Sequence, residues 1–155
     1  MMKTKGLLLL VVLMMVAAVF VACAPQEKAE WTISIEGASK AEFSSNDYLK
    51  LKAVTIDTVL KKKDGSEKNE TWEGVLLKDV LEYLGVSEYT SVTMEASDGY
   101  AKDYTSDIVN DEKTILGTKV NGEALLAEGG FVKAVAGNES GNMWIKELVK
   151  IKVNK

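Results

Sequence analysis

Short runs in which apolar and polar residues alternate constrain the fold of this 155-residue chain more than any other feature. In residues 31–36 every second residue is apolar, and a β-branched run follows over residues 51–59. Alternation with a period of two is typical of a half-buried strand. The Lys61-Lys62-Lys63-Asp64-Gly65 segment then favours a turn, because its glycine can adopt a positive φ. We therefore predict strands over 31–36 and 51–59.

One later segment has helical periodicity instead. Leu77, Val80, Leu81 and Leu84 recur at i, i+3, i+4 and i+7, so that they form one apolar stripe on a helix. Gly85 follows at the position where a glycine commonly ends a helix. The spacing predicts a core-facing helix over residues 76–84.

The remaining patterns add several short elements. Capping residues at 44–47 predict a short helix, and Asn121-Gly122 predicts a tight turn. Further strands are predicted at 91–96, 114–120, 131–136 and 148–153. Many short strands around one good helix predict an α+β domain that is mainly β, with a mixed sheet and a few short helices.

The N-terminus has the pattern of an export signal. Lys3 and Lys5 precede an uncharged, largely apolar run over residues 7–22, and Ala22 stands directly before Cys23. This arrangement is typical of a lipoprotein signal peptide, whose cleavage leaves a lipidated cysteine. We predict a signal peptide over 1–22, a polar tether over 23–30 and a folded domain over 31–155. The alternative is an uncleaved membrane anchor in which Cys23 is a plain thiol.

These features predict a location for the protein. The domain would be exported and anchored to the bacterial cell membrane by a lipid on Cys23, so the membrane itself would be its first partner. Since Cys23 is the only cysteine in the chain, no disulfide can form within the domain.

The charged residues exclude several classes of function. The chain has no histidine and no arginine, and its 19 basic residues, all lysines, face 23 acidic ones for a net charge of −4. A Ser-His-Asp triad, a histidine-ligated zinc and a bidentate arginine clamp are therefore excluded. The acidic balance argues against a nucleic-acid partner, because neutralising phosphates requires a basic face.

Several motif segments occur in a fixed order between residues 49 and 153. They are Trp72-Glu73-Gly74-Val75-Leu76-Leu77-Lys78-Asp79-Val80-Leu81, Gly85-Val86, Asp98-Gly99-Tyr100, Ile115-Leu116, Asn121-Gly122-Glu123-Ala124-Leu125, Gly129-Gly130 and Trp144-Ile145-Lys146-Glu147-Leu148. Together they resemble the molybdopterin-binding domain of the sulfite oxidase family of oxidoreductases. The resemblance implies that family's mixed, mainly β fold, a molybdopterin cofactor and a redox or membrane-protein partner.

The chain departs from this family's pattern at the residues that hold the metal. Family enzymes bind molybdenum through a cysteine upstream of the Trp-x-Gly-Val segment, where this chain has Thr55-Ile56-Asp57-Thr58-Val59. The family's Gly-x-Pro-x-Arg stretch is Gly129-Gly130-Phe131-Val132-Lys133 here. Since molybdenum depends on soft thiolate donors, we expect no stoichiometric molybdenum and no oxidation of sulfite.

The resemblance also implies where a ligand would bind. The family places its pterin in loops between the motif segments, and the matching residues here are Asp98, Tyr100, Asn138 and Lys146, with Lys133 replacing an arginine. Other interpretations stay open, since residues 98–100 can form a simple turn and residues 137–142 a flexible connection.

Two functions therefore remain at the level of sequence. One is a tethered oxidoreductase-type domain that binds a pterin, and the other is a non-catalytic ligand-binding or protein-interaction module on the same fold. If molybdenum does bind, the oxygen atoms of Asp57 or Thr58 are the candidates to replace the missing sulfur.

The lipid anchor leads to a first testable prediction. Cys23→Ala removes the acylation site, so we expect the protein to lose its stable membrane association, because acyl chains anchor at ~0.8 kcal/mol per buried CH₂. Fractionation of cells into membrane and soluble material measures this. Efficient membrane retention of the variant through an uncleaved segment would contradict the lipoprotein interpretation.

Overall fold

Two five-stranded sheets form the framework of the described part of the chain, which in this computed structural model comprises residues 28–125 and 130–155. The predicted signal peptide, Cys23 and Gly129 lie outside these ranges. Within the described ranges, no helix is long and apolar enough to cross a membrane.

The first sheet contains both the first and the last strand of the described residues. Its strands are β1 (Thr32–Glu36), β2 (Glu42–Ser44), β5 (Ser91–Ala96), β6 (Ala101–Thr105) and β10 (Leu148–Asn154). Their spatial order is β2-β1-β10-β5-β6. The β1 and β10 strands pair in parallel, with Ile35 opposite Ile151, whereas the other pairs in this sheet are antiparallel. The sheet is therefore mixed.

The second sheet is antiparallel and is built on a long hairpin. Its strands are β3 (Ala53–Lys61), β4 (Glu67–Leu76), β7 (Thr114–Val120), β8 (Glu123–Ala124) and β9 (Lys133–Ala136). The order is β3-β4-β7-β8, and β9 pairs with the first half of β7. Gly65 has a φ of 81° in the turn between β3 and β4, which explains why a glycine is needed there.

Within residues 28–125 and 130–155, three short helices connect the strands. They are α1 (Ser45–Tyr48), α2 (Leu77–Tyr83) and α3 (Ser106–Asn110), and a 3₁₀ turn covers Gly141–Met143. Ser44 caps α1 in a capping box with Asp47, which satisfies backbone N–H groups that have no partner within the helix.

The α2 helix presents its predicted stripe to the core. Leu77, Val80, Leu81 and Leu84 are all buried, and Gly85 follows with a φ of 75°. Trp72 and Trp144 are buried as well, and their rings pack edge to face with centroids 6.1 Å apart. The predicted helix face is therefore confirmed.

The predicted fold class is confirmed, and five of the helices and strands were not predicted. The mixed sheets with few short helices match the expected mainly β α+β class. Strands β2, β4, β6 and β8 and helix α3 were missed, and the strand predicted over 131–136 begins only at Lys133. Alternation in β4 is hidden because an acidic residue, Glu70, occupies an inward position beside Trp72.

The helix stripe gives a test of the core. Leu81→Ala removes a side chain that is 2% exposed, so we expect a loss of about 2–5 kcal/mol in the free energy of unfolding. Lys78→Ala, on the same helix but outside the stripe, should cost far less. Denaturant unfolding measures both variants, and equal effects would show that the helix face is wrongly assigned.

Candidate functional site

A polar groove lies between the β3–β4 hairpin and the loop that follows β9. Its volume is about 820 Å³. The lining residues are Asp57, Thr58, Val59, Lys61, Asn69, Glu70, Thr71, Lys113, Gly137, Asn138, Glu139 and Ser140. The groove therefore combines three carboxylates, two ammonium groups and several hydroxyl and amide groups.

Two glycines allow the loop to lie close to β3. A Cβ atom at Gly137 would stand 2.9 Å from Cγ2 of Thr58, and one at Gly141 would stand 2.8 Å from Cδ1 of Leu60. Distances below 3.0 Å are too short for a real Cβ contact. Larger residues at 137 or 141 would push the loop away from β3, so these glycines set the width of the groove.

Hydrogen bonds fix the wall of the groove at Asp57. The Lys113 ammonium donates to the backbone oxygen of Asp57 over 3.1 Å, and the Thr71 hydroxyl donates to the Asp57 carboxylate over 2.7 Å. The backbone N–H of Gly137 donates to the oxygen of Lys113 over 2.8 Å. Lys113 thus links β3 to the loop that follows β9.

Glu70 is a buried carboxylate in the same wall, with a side chain only 6% exposed. The indole N–H of Trp72 donates to Glu70 Oε2 over 2.9 Å, and Lys68 Nζ lies 2.9 Å from Oε1. The Thr58 hydroxyl donates to the backbone oxygen of Glu70 over 3.2 Å. A buried charge with these partners is satisfied, so Glu70 is an ordered part of the wall.

Lys133 lies beside the groove wall between two tryptophans. Its Nζ atom is 5.0 Å from the ring centroid of Trp72 and 4.9 Å from that of Trp144. Burial lowers the pKa of the Lys133 amine, while the carboxylate of Glu70 opposes this shift and Lys146 adds to it. Contact with two aromatic faces offsets part of the cost of burying the ammonium.

The structure separates the five predicted site residues. Asn138 lines the groove, and its amide donates to both carboxylate oxygens of Asp111 over 3.1 and 2.8 Å. Lys146 is exposed and lies near enough to Lys133 to affect its pKa. Asp98 and Tyr100 belong to an exposed turn outside the groove. Whether these five residues bind a ligand stays a prediction.

Tyr100 lies outside the groove but contacts the loop that follows β9. Its hydroxyl donates to the backbone oxygen of Asn142 over 2.6 Å, and the buried Tyr104 donates to that of Met143 over 2.6 Å. The two tyrosines therefore hold the 3₁₀ turn that ends the groove loop.

Several groove residues were not found by sequence reasoning, in particular Lys113, Asn69 and Glu70. Asp57 and Thr58 were named, but only as substitute metal ligands. Lys113 carries a weak sequence signal, since it is a single lysine after an acidic stretch. The others belong to a strand that was not predicted.

The donor set of the groove is poorly suited to molybdenum. It supplies carboxylate, hydroxyl and amide oxygens, whereas molybdenum depends on soft sulfur donors. Within the described residues, no three His, Cys, Asp or Glu side chains are arranged to hold a metal ion. The residues present do not fit a metal held by protein sulfur.

Comparisons with known proteins agree with the fold. The family model described as "Oxidoreductase molybdopterin binding domain" matches residues 21–155. The sulfane dehydrogenase SoxCD from Paracoccus pantotrophus has a similar structure, with a TM-score of 0.72 and 21% sequence identity over 81% of this chain. The match covers only 38% of the SoxCD chain. None of the curated proteins matches the sequence.

The buried carboxylate in the wall gives a second stability test. Glu70→Ala leaves the Trp72 indole N–H without its acceptor, which costs about 1–3 kcal/mol for a buried donor. The ion pair with the half-exposed Lys68 should add little. Glu67→Ala, an exposed acid on the same strand, is the matched control. Equal unfolding midpoints for the two variants would show that Glu70 does not order the wall.

Proposed function

This chain belongs to the oxidoreductase molybdopterin-binding domain family, and we propose that it is a lipid-anchored, extracytoplasmic member that binds a pterin phosphate in the polar groove. The ligand would bind without a metal held by protein sulfur. The proposal therefore separates the ligand-binding role of the family from its oxygen-atom transfer chemistry.

One observation carries this proposal. Residues 55–59 stand where the family has its metal-binding cysteine, and three of them, Asp57, Thr58 and Val59, line the groove. The groove thus contains the segment that the resemblance aligns with the metal-binding cysteine of the family. Hydroxyl and carboxylate groups replace the thiolate there.

The polar groups of the groove suit a pterin. A pterin ring presents amide and amino N–H donors beside ring acceptors, and the carboxylates of Asp57 and Glu139 and the amides of Asn69 and Asn138 offer matching partners. Lys113 can attract a phosphate as a point charge, although a lysine cannot form the bidentate hydrogen bonds that an arginine forms with phosphate. We therefore expect weak binding.

The anchor is supported by the sequence at the N-terminus. The apolar run over 7–22 and Cys23 have the order of a lipoprotein signal, and they lie outside the described residues. Together with a short polar tether, they would hold the groove near the outer face of the membrane.

A titration of the purified mature protein tests the proposed ligand. Neopterin monophosphate is fluorescent, so its binding can be followed directly, and molybdenum is measured on the same sample by elemental analysis. We expect binding to the wild-type protein and far less than one molybdenum per chain when the expression host makes the cofactor. Lys113→Gln should weaken binding by roughly 10- to 100-fold, since a hydrogen bond to a charged group contributes about 1.5–3 kcal/mol.

Lys119→Gln is the control, because Lys119 pairs with Glu73 outside the groove. Absence of binding to the wild-type protein, or equal weakening in both variants, would contradict the groove as the site. Stoichiometric molybdenum would instead restore a metal-dependent oxidoreductase, with Asp57 or Thr58 as candidate oxygen ligands.

A further inference from the structure

Leu49 is a large apolar residue that is almost fully exposed to solvent. Its side chain is 80% exposed, while the other exposed large apolar residues in the described part of the chain are Tyr100 at 43% and Val59 and Val149 at 40%. Lys50 and Lys52 follow it in the chain and are also exposed. We call Leu49, Lys50 and Lys52 the basic-apolar patch.

The basic-apolar patch is held in a rigid turn. The backbone N–H of Leu49 donates to the oxygen of Ser45 over 3.2 Å, and that of Leu51 donates to Tyr48 over 3.1 Å. The Lys50 ammonium donates to Asp47 over 3.0 Å, which fixes the direction of the side chain. Since the backbone of this turn is fixed, the exposure of Leu49 is a built feature of the surface.

The chain enters the domain beside this patch. The backbone N–H of Glu30 donates to the Ser45 hydroxyl over 2.9 Å, and the N–H of Ser45 donates to the oxygen of Trp31 over 3.1 Å. The Trp31 ring packs edge to face on Tyr48 with centroids 5.6 Å apart. The first residues of the domain are thus fixed to α1, whose C-terminal end carries Leu49.

Little chain separates this point from the proposed lipid. Five residue steps join Cys23 to Lys28, the first described residue, which is roughly 17 Å when fully extended at ~3.3–3.6 Å per residue. A lipid on Cys23 would therefore hold the face of the domain that carries α1 close to the bilayer.

We propose that the basic-apolar patch docks on the surface of an anionic bilayer, with Leu49 inserted at the interface and Lys52 among the headgroups, while Lys50 stays paired with Asp47. The inference rests on the lipid anchor proposed above. Interfacial binding combines burial of apolar area with attraction to anionic lipid, and lysine can reach the headgroups while its stem stays in an apolar region. Docking would give the groove one orientation relative to the membrane.

Fluorescent labelling of the acylated, full mature protein tests this orientation. Because acylation occupies the only native cysteine, a thiol introduced by L49C is the single site for an environment-sensitive probe. V59C is the matched control, since Val59 lies on β3 about 20 Å beyond Ala53 at ~3.3 Å per residue. K52C provides a second probe within the patch. The labelled proteins are reconstituted into phosphatidylglycerol-containing vesicles with a spin-labelled quencher lipid.

Flotation of the vesicles reports the anchor separately. We expect the protein to float, the L49C probe to shift to the blue and be quenched, and the K52C probe to be quenched less. The V59C probe, on the groove wall, should keep the same spectrum and intensity with and without vesicles. Flotation with a solvent-like L49C probe, or with equal quenching at L49C and V59C, would overturn the docking and leave the anchor standing. Failure to float would overturn both.

Discussion

The wall of the groove depends on how Trp72 is packed. Gly117 on β7 lies against its ring, where a Cβ atom would come within 2.7 Å of Cε3, so only glycine leaves room for the indole. Trp144 packs on the same ring and donates its own indole N–H to the oxygen of Ala136 over 2.8 Å. The pair thereby ties β4 and β9 together, and β9 leads directly into the groove loop. The packing of the two tryptophans in the core therefore also sets the geometry of the candidate site.

Local periodicity predicted the parts of the fold that obey it. The core helix and the strands β1, β5, β7 and β10 follow from alternation or from the apolar stripe, and the structure confirms them. Strand β4 was missed because Glu70 faces inward, where the indole of Trp72 and the ammonium of Lys68 satisfy its carboxylate. The groove was found only in part, through Asn138, Asp57 and Thr58. It joins residues far apart in the chain, and no pattern within a short window encodes such a contact.

The chemistry of the candidate site follows from what the chain lacks as well as from what it contains. With no arginine or histidine, its cations are lysines, which attract anions without fixing their orientation. The groove is lined by many hydrogen-bonding groups, and its three carboxylates are nearly balanced by two ammonium groups. Such a surface favours recognition of a polar ring over tight capture of a highly charged group, and this is why the binding proposed above is expected to be weak.

The parallel pairing of β1 with β10 has a consequence for how the domain forms. In the first sheet β10 lies between β1 and β5 and pairs with both of them. Until residues 148–154 are available, β1 and the β5–β6 hairpin have no common neighbour and cannot join into one sheet. Such long-range pairing slows folding, because the loop must close before the contacts form. The first sheet would therefore be assembled after the second, once its central strand, β10, is available for pairing.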